Sequence, residues 1–183
     1  GPLKAAAALD VTPGRIGFAP LTLESAGLSG TLSGTYDPRA QLAETRFQLS
    51  ALPAVLPDDL ASRFDTTIAV EGNLTATGTS AVTLSDLQLR SGTLEADGSV
   101  SLVDGNLDAA LTGRLPEIGR LIPDAIGQAA FEARATGPLD GLGLTARLTS
   151  DGATVAGRTL SDLVVALDGR VADGGPAGGL TVT

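Results

Sequence analysis

Residues 94–115 read LEADGSVSLVDGNLDAALTGRL, and this stretch decides the fold. Apolar and polar side chains alternate through two runs, so that Val100 and Leu102 fall on one side of a strand and Ser101 on the other. Between the runs, at 104–106, stands Asp-Gly-Asn, a composition that favours tight turns. Because successive side chains of a strand point to opposite faces, the stretch predicts an antiparallel hairpin with one apolar and one polar face.

The same period of two recurs outside this hairpin, at 68–76, 142–148 and 163–171. Gly and Asp separate the runs, and short loops of this kind favour antiparallel neighbours. The alternation therefore predicts one continuous aliphatic interior face. The residues predicted to line it are Ile68, Val70, Leu74, Leu94, Val100, Leu102, Leu107, Leu111, Leu115, Leu144, Leu148, Leu163, Val165 and Leu167.

Two proline-containing segments repeat the same anchors along the chain. They read LPAVLPDDLASRFDTTIAVEGNL at 52–74 and LPEIGRLIPDAIGQAAFEARATGPL at 115–139, with matched Pro, Phe and Leu residues 63 to 67 positions apart. The pentapeptide TLSDL, at 83–87 and again at 159–163, indicates a partial third copy. Such repetition predicts one elongated domain in which each unit packs against its neighbours. That domain covers 1–183, with units at about 21–81 and 82–145 and a partial unit at 146–183.

Within the repeated segments the period changes from two to four. Leu56, Leu60 and Phe64 are spaced by four, as are three isoleucines of the second segment, and each segment opens with a proline. A proline at the first turn and an apolar residue at every fourth position are typical of short amphipathic helices. We therefore predict short helices at about 53–64 and 116–130, between blocks of strand.

The composition limits the classes of function. Of the 183 residues, 43% are apolar but only 3% aromatic, which predicts an aliphatic core. Twelve basic residues against twenty-one acidic residues give a net charge of −9, which opposes binding to nucleic acid. Histidine and cysteine are absent, and Lys4 is the single lysine, so the usual nucleophile and base pairs are missing. We predict a protein that is not an enzyme and holds no cofactor or metal.

Two acidic motifs suggest metal or acid-base chemistry and are better explained by local structure. Asp58 and Asp59 follow a proline at a predicted helix start, where acidic side chains favour the helix dipole. Asp104, Asn106 and Asp108 alternate like the opening of a calcium loop, but that loop needs a glycine and a glutamate further on, which this sequence lacks. We interpret these motifs as a helix start and a hairpin turn.

The chain has features of a piece of a longer protein. Gly1-Pro2 is typical of the remnant of a cleaved tag, so we expect the natural termini to lie elsewhere. No apolar run approaches the roughly 20 residues of a spanning helix. The outermost strands of a sheet have unpaired backbone groups, and we expect self-association through these edges.

The repeat pattern resembles the AsmA-like and TamB families of bacterial envelope proteins. The likeness is found in VTLSDLQLRSGTLEADGSVSLVDGNLDAALTG at 82–113, in the second proline-containing segment, and in TVAGRTLSDLVVALDG at 154–169. The resemblance implies an all-β fold: a curved, taco-like or U-shaped, largely antiparallel sheet with an apolar interior. It also implies the periplasmic part of a protein anchored in the inner membrane of a Gram-negative bacterium by an N-terminal segment.

The resemblance further implies a role in outer-membrane biogenesis. Such proteins are expected to carry phospholipid between the two membranes, to assist outer-membrane protein assembly with a TamA-like barrel partner, or both. A dry aliphatic groove suits phospholipid acyl chains, because it removes most of the cost of passing a chain through water. Equally open is an ordinary sandwich, in which two apolar leaves press together and leave no groove.

A second class of function is a surface adhesin or autotransporter passenger built as a parallel β-helix. That architecture has rungs of about 20 to 25 residues. The period of this sequence is longer and is interrupted by the proline-containing segments, which disfavours the alternative.

Overall fold

The computed structural model describes residues 4–6, 8–57, 61–64, 66–120, 124–172 and 175–183. They form one sheet of fourteen strands, which confirms the predicted all-β fold. The strands are β1 (Lys4–Ala6), β2 (Leu9–Thr12), β3 (Arg15–Ser25), β4 (Leu28–Asp37), β5 (Leu42–Ala51), β6 (Ile68–Thr77), β7 (Ala81–Arg90), β8 (Glu95–Val103), β9 (Asn106–Leu115), β10 (Ala125–Gly127), β11 (Ala129–Pro138), β12 (Gly141–Val155), β13 (Arg158–Ala172) and β14 (Gly175–Val182).

The sheet is a meander in which nearly every strand pairs with the next one along the chain. From β3 to β14 the order follows the sequence, except that the short strand β10 is skipped and pairs with the far end of β12. At the other edge, β1 and β2 both pair with β3. All of these pairs are antiparallel, as the short turns predict, and the parallel coil required by the adhesin alternative is not found among the described residues.

The strand ends form two unlike rims. We call one the short-turn rim, because its turns at 38–41, 78–80, 104–105 and 139–140 are two to four residues long. Backbone hydrogen bonds join neighbouring turns along it: Gly78 N to Gln41 O at 2.9 Å, Asp104 N to Ser80 O at 2.9 Å, and Leu139 N to Gly105 O at 3.2 Å. Each turn is therefore tied to the next.

We call the opposite rim the connecting-segment rim. It contains the two long connections, between β5 and β6 and between β9 and β11, together with the turns that follow β3, β7 and β12. The connections are bonded to these turns: Leu52 N donates to Gly27 O at 2.7 Å, and Ala156 N donates to Asp124 O at 3.1 Å. The long connections thus lie along one rim only.

The predicted helices are shorter than the spacing by four suggests. In the first segment only a 3-10 helix, Pro53–Val55, and one turn closed by Ala61 N bonding to Pro57 O are described, while Leu60 lies outside the described residues. In the second segment the prediction of a helix over 116–130 is wrong: a 3-10 helix occupies Ile118–Arg120, and strands begin at Ala125.

The long strand β12 explains the second difference. It continues to Val155, beyond the end of its pairing with β11, and residues 125–127 pair with the backbone groups of 153–155. Ile126 therefore lies on a strand and is exposed, while Ile118 is 4% exposed, so the two do not share a buried helical stripe. Backbone pairing with an existing strand stabilises these residues more than a short helix would, because a short helix is only marginally stable on its own.

Corresponding elements surround the two 3-10 helices. Each helix follows a ten-residue strand, β5 or β9, and another ten-residue strand comes after it, β6 directly and β11 after the short strand β10. The phenylalanine anchors do not correspond, because Phe64 lies in the connection and Phe131 lies in β11. The boundaries of the repeat units stay a prediction.

The TLSDL pentapeptide contains an aspartate with an unusual backbone conformation in both β7 and β13. Asp86 and Asp162 both adopt left-handed backbone conformations, with φ of 51° and 53°, which Asp tolerates better than most residues. The register of β7 shifts here, so that Leu84 pairs with Val100 and Leu87 with Gly98. The extra residue places Leu84 and Leu87 on the same face, and the Asn73 side chain holds the Asp86 carboxylate at 2.9 Å.

A buried hydroxyl fixes the first connection to the sheet. Thr93, in the turn after β7, is 1% exposed, and its Oγ1 donates to the Arg63 carbonyl at 2.9 Å. We expect Thr93→Val, which keeps the shape and removes this hydrogen bond, to cost about 1 kcal/mol. Urea unfolding measures the change in the free energy of unfolding, and Thr112→Val, at an exposed site on β9, serves as the control. Equal stabilities of the two variants would contradict this role for Thr93.

Candidate functional site: an open apolar face

Residues opposite each other in an antiparallel pair share a face, so the register can be followed across the whole sheet. The register places one apolar residue on each of eleven successive strands. This row consists of Leu23, Gly30, Leu49, Val70, Leu89, Ala96, Gly113, Phe131, Leu148, Val165 and Val182. At about 4.8 Å between strands, it extends for about 48 Å.

A second row, four residues away along most strands and five away in β3 and β7, is also apolar, apart from Thr45. Its members are Phe18, Gly34, Thr45, Leu74, Leu84, Val100, Ala109, Ala135, Leu144, Gly169 and Gly178. The rows one residue away from each of them lie on the other side of the sheet and are mainly polar. Such a row contains Gln48, Glu71, Gln88, Asp97, Thr112, Glu132, Arg147, Ala166 and Thr181. We call the two sides the apolar face and the polar face.

All thirteen predicted lining residues that lie in strands fall on the apolar face. The fourteenth, Leu94, precedes β8 and packs against buried residues of that face. Ile68 and Leu115 are buried, Leu167 is 41% exposed, and the others are half-buried. The register thus brings the predicted set together on one surface, while their role in holding cargo stays a prediction.

The alternation-based prediction missed part of the apolar face. Most of the missed residues lie on β3, β4, β5 and β7, and on β4 and β5 the same alternation is present in the sequence and would have identified them. They are Leu21, Leu23, Leu28, Leu32, Phe47, Leu49, Leu84, Leu87 and Leu89. The bulge at Asp86 disguises the pattern in β7, because Leu84 and Leu87 are three residues apart.

No second layer formed by the described residues seals the apolar face. The protein exposes 11,390 Å², whereas a compact monomer of its 18.2 kDa would expose about 8,100 Å². Among the described residues, only seven apolar side chains are buried, and most of the face is half-buried. A sandwich would bury the facing side chains of both leaves. The single open sheet therefore leaves the face accessible.

The sheet bends toward its apolar face, as its glycines show. A Cβ added to Gly98 or Gly113 on that face would collide with a backbone carbonyl of the next strand. On the polar face, a Cβ at Gly143 would meet nothing nearer than 3.4 Å, and one at Gly179 nothing within 4 Å. Backbones that crowd one side and leave the other open indicate that the apolar face is concave.

Three of the four phenylalanines lie across from a glycine on the apolar face. The pairs are Phe18 with Gly34, Phe47 with Gly72, and Phe131 with Gly113. In each pair the phenylalanine ring occupies the space that a side chain would need at the glycine position. This arrangement protects strand glycines and keeps the concave surface smooth. The pairs could not be found from the sequence, because they depend on the register between strands.

The polar face is held by ordinary surface contacts. Arg90 pairs with Asp97 at 2.6 Å and Arg114 with Glu95 at 2.7 Å, and all four side chains are substantially exposed. Exposed pairs of this kind contribute about 0 to 1 kcal/mol each. Depressions of about 350 to 590 Å³ are lined mainly by residues of this face, such as Glu132, Arg147 and Asp168.

The described residues contain no group of three or more His, Cys, Asp or Glu side chains placed to hold a metal. No buried polar side-chain atom among them is left without a hydrogen bond. In the same part of the chain, no helix is long and apolar enough to cross a membrane.

Comparisons with protein-family models, with curated proteins and with solved structures found no match to this chain.

Proposed function

We propose that this chain shields the acyl chains of phospholipid on its apolar face. The observation that supports this proposal is a concave aliphatic strip, continuous over eleven strands, that no other layer of the described structure covers. An exposed apolar area of this kind on a protein marks a place for an apolar partner. The polar face and the net charge of −9 keep the other side hydrated.

The chemistry of the strip suits a lipid tail. At about 0.8 kcal/mol per CH₂, a chain of roughly 16 carbons costs on the order of 12 kcal/mol to expose to water. Aliphatic side chains resemble the bilayer interior, so a tail loses little when it moves from one to the other. Thr45 is the one side chain in the two apolar rows above that could offer a hydrogen bond to a passing tail. Movement along the strip needs no chemical step.

The cellular setting is part of the same proposal. The repeat pattern resembles the AsmA-like and TamB families, and an open, curved antiparallel sheet is the fold that this resemblance implies. We therefore propose a periplasmic location in a larger protein anchored in the inner membrane. Its task would be phospholipid transport to the outer membrane, outer-membrane protein assembly with a TamA-like barrel partner, or both. Self-association through the edge strands is part of the same expectation.

Native mass spectrometry tests lipid binding directly. The purified protein is incubated with vesicles of phosphatidylethanolamine and phosphatidylglycerol, separated from them, and ionised gently. We expect adducts with the mass of intact phospholipid, and we expect free glycerophosphate, which has the head group without tails, to give none. A protein that carries no lipid after this treatment would overturn the proposed function.

A further inference from the structure

The core of this protein lies at one rim. All seven buried apolar side chains of the described residues are in the connecting-segment rim or within a few residues of it: Ile68, Ala96, Leu115, Ile118, Ala125, Ala129 and Ala153. Five of them form one cluster in which the second connection folds onto the ends of β9, β11 and β12, with Leu94, Phe131, Leu148 and Val155 packed against it. The Ser150 hydroxyl adds a bond of 2.7 Å to the Gln128 carbonyl.

The short-turn rim has no such cover. None of the buried apolar side chains belongs to it. Of the apolar residues that end the face there, Tyr36 and Val82 are exposed, and Leu102, Leu107 and Leu142 are half-buried. Its turns are short and are tied to one another by backbone hydrogen bonds. The turns are thus held beside the apolar face, and no described segment folds over that face from the short-turn rim.

We propose that acyl chains enter and leave the apolar face over the short-turn rim, while the head group stays in water outside that rim. This inference rests on the proposed function. At the second connection the connecting-segment rim is closed to tails, because a tail passing there must displace the packed side chains around Ile118. Deleting buried packing of this kind costs about 2 to 5 kcal/mol per large side chain. At the short-turn rim a tail displaces only water.

The dimensions suit this route. One strand of ten residues, such as β9, extends for about 30 Å between the rims. The hydrocarbon core of a bilayer is about 30 Å thick, so a tail from one leaflet reaches about 15 Å. A tail that enters over the short-turn rim therefore ends near the middle of the face. The closed rim does not have to open.

Matched substitutions test the entry route. Val82 is 40% exposed at the short-turn rim on the apolar face, and Leu160 is 37% exposed at the opposite rim, paired with the buried Ala153. Val103 is 42% exposed at the short-turn rim but on the polar face, opposite Ala81. Each is changed to glutamate. The readout is the initial rate at which the protein takes pyrene-labelled phospholipid from uncharged phosphatidylcholine vesicles.

We expect Val82→Glu to slow the uptake of lipid about tenfold, which corresponds to about 1.4 kcal/mol at the entry step. The uptake rates of Leu160→Glu and Val103→Glu should stay within about twofold of the rate of the unchanged protein. Thermal melting checks that each variant is folded. If Val82→Glu melts early, Tyr36→Glu at the same rim replaces it. Equal effects at the two rims, or no effect at the short-turn rim, would overturn the entry route alone. An unchanged protein that takes up no lipid would overturn the proposed function, and the route with it.

Discussion

Replacing Leu111 with aspartate is expected to weaken phospholipid binding by about a hundredfold or more, which corresponds to about 2.7 kcal/mol. Leu111 lies on β9 in the middle of the apolar face, between Gly98 and Ala133 of the neighbouring strands. A tail that covers an aspartate must desolvate an unpaired charge, which costs several kcal/mol. Titration with pyrene-labelled phospholipid, followed by fluorescence, measures the change.

The control is the next residue in the same strand. Thr112 is exposed on the polar face, so Thr112→Asp introduces the same charge on the opposite side of the sheet and should leave binding unchanged. If Leu111→Asp lowers the melting temperature, Leu167→Asp replaces it. Leu167 is already 41% exposed, so its substitution should destabilise the fold less. Undiminished binding by folded variants at both apolar positions would contradict the account.

The second large effect is on stability, and it tests the bend of the sheet. We expect Gly113→Ala to destabilise the protein by about 3 kcal/mol, the upper part of the range for overpacking. The added methyl group would collide with the Glu95 carbonyl oxygen and stand 2.7 Å from the Phe131 ring. Relief requires β8 and β9 to separate, which flattens the concave face. Thermal unfolding should show a melting temperature lowered by about 6 to 12 °C.

Gly143→Ala is the matched control on the polar face. The nearest atom to its added methyl group is the Thr136 carbonyl oxygen at 3.4 Å, an ordinary contact. This change should be neutral or slightly stabilising, because alanine restricts the unfolded chain more than glycine does. If both variants had the same stability, the apolar face would not be the crowded, concave side.

The face of the sheet was predictable because its signal is local. Residues such as Val100 and Ser101 alternate within one strand, and alternation alone assigns them to opposite sides. Turn residues such as Asp104 and Gly105 then set the antiparallel order, since both adopt the left-handed backbone conformations that tight hairpins need. Neither step needs knowledge of a distant residue.

The rest depends on contacts between distant parts of the chain. The spacing of Ile118 and Ile126 is that of a helix, yet the free end of β12 recruits residues 125–127 into the sheet. The ring of Phe131 lies over Gly113 because of a pairing eighteen residues apart. The closure of one rim and not the other likewise follows from where the connections pack. Periodicity reports one strand at a time and cannot contain this information.

The most direct test of the central claim uses phospholipid with a photoreactive diazirine near the end of its tail. The protein is irradiated after loading, digested, and the labelled residues are identified by mass spectrometry. Neighbouring residues provide internal controls: Leu74 and Thr75, and Leu144 and Thr145, lie side by side on opposite faces. The account predicts labels on the leucines and not on the threonines. Labels spread equally over both faces, or confined to the polar face, would contradict it.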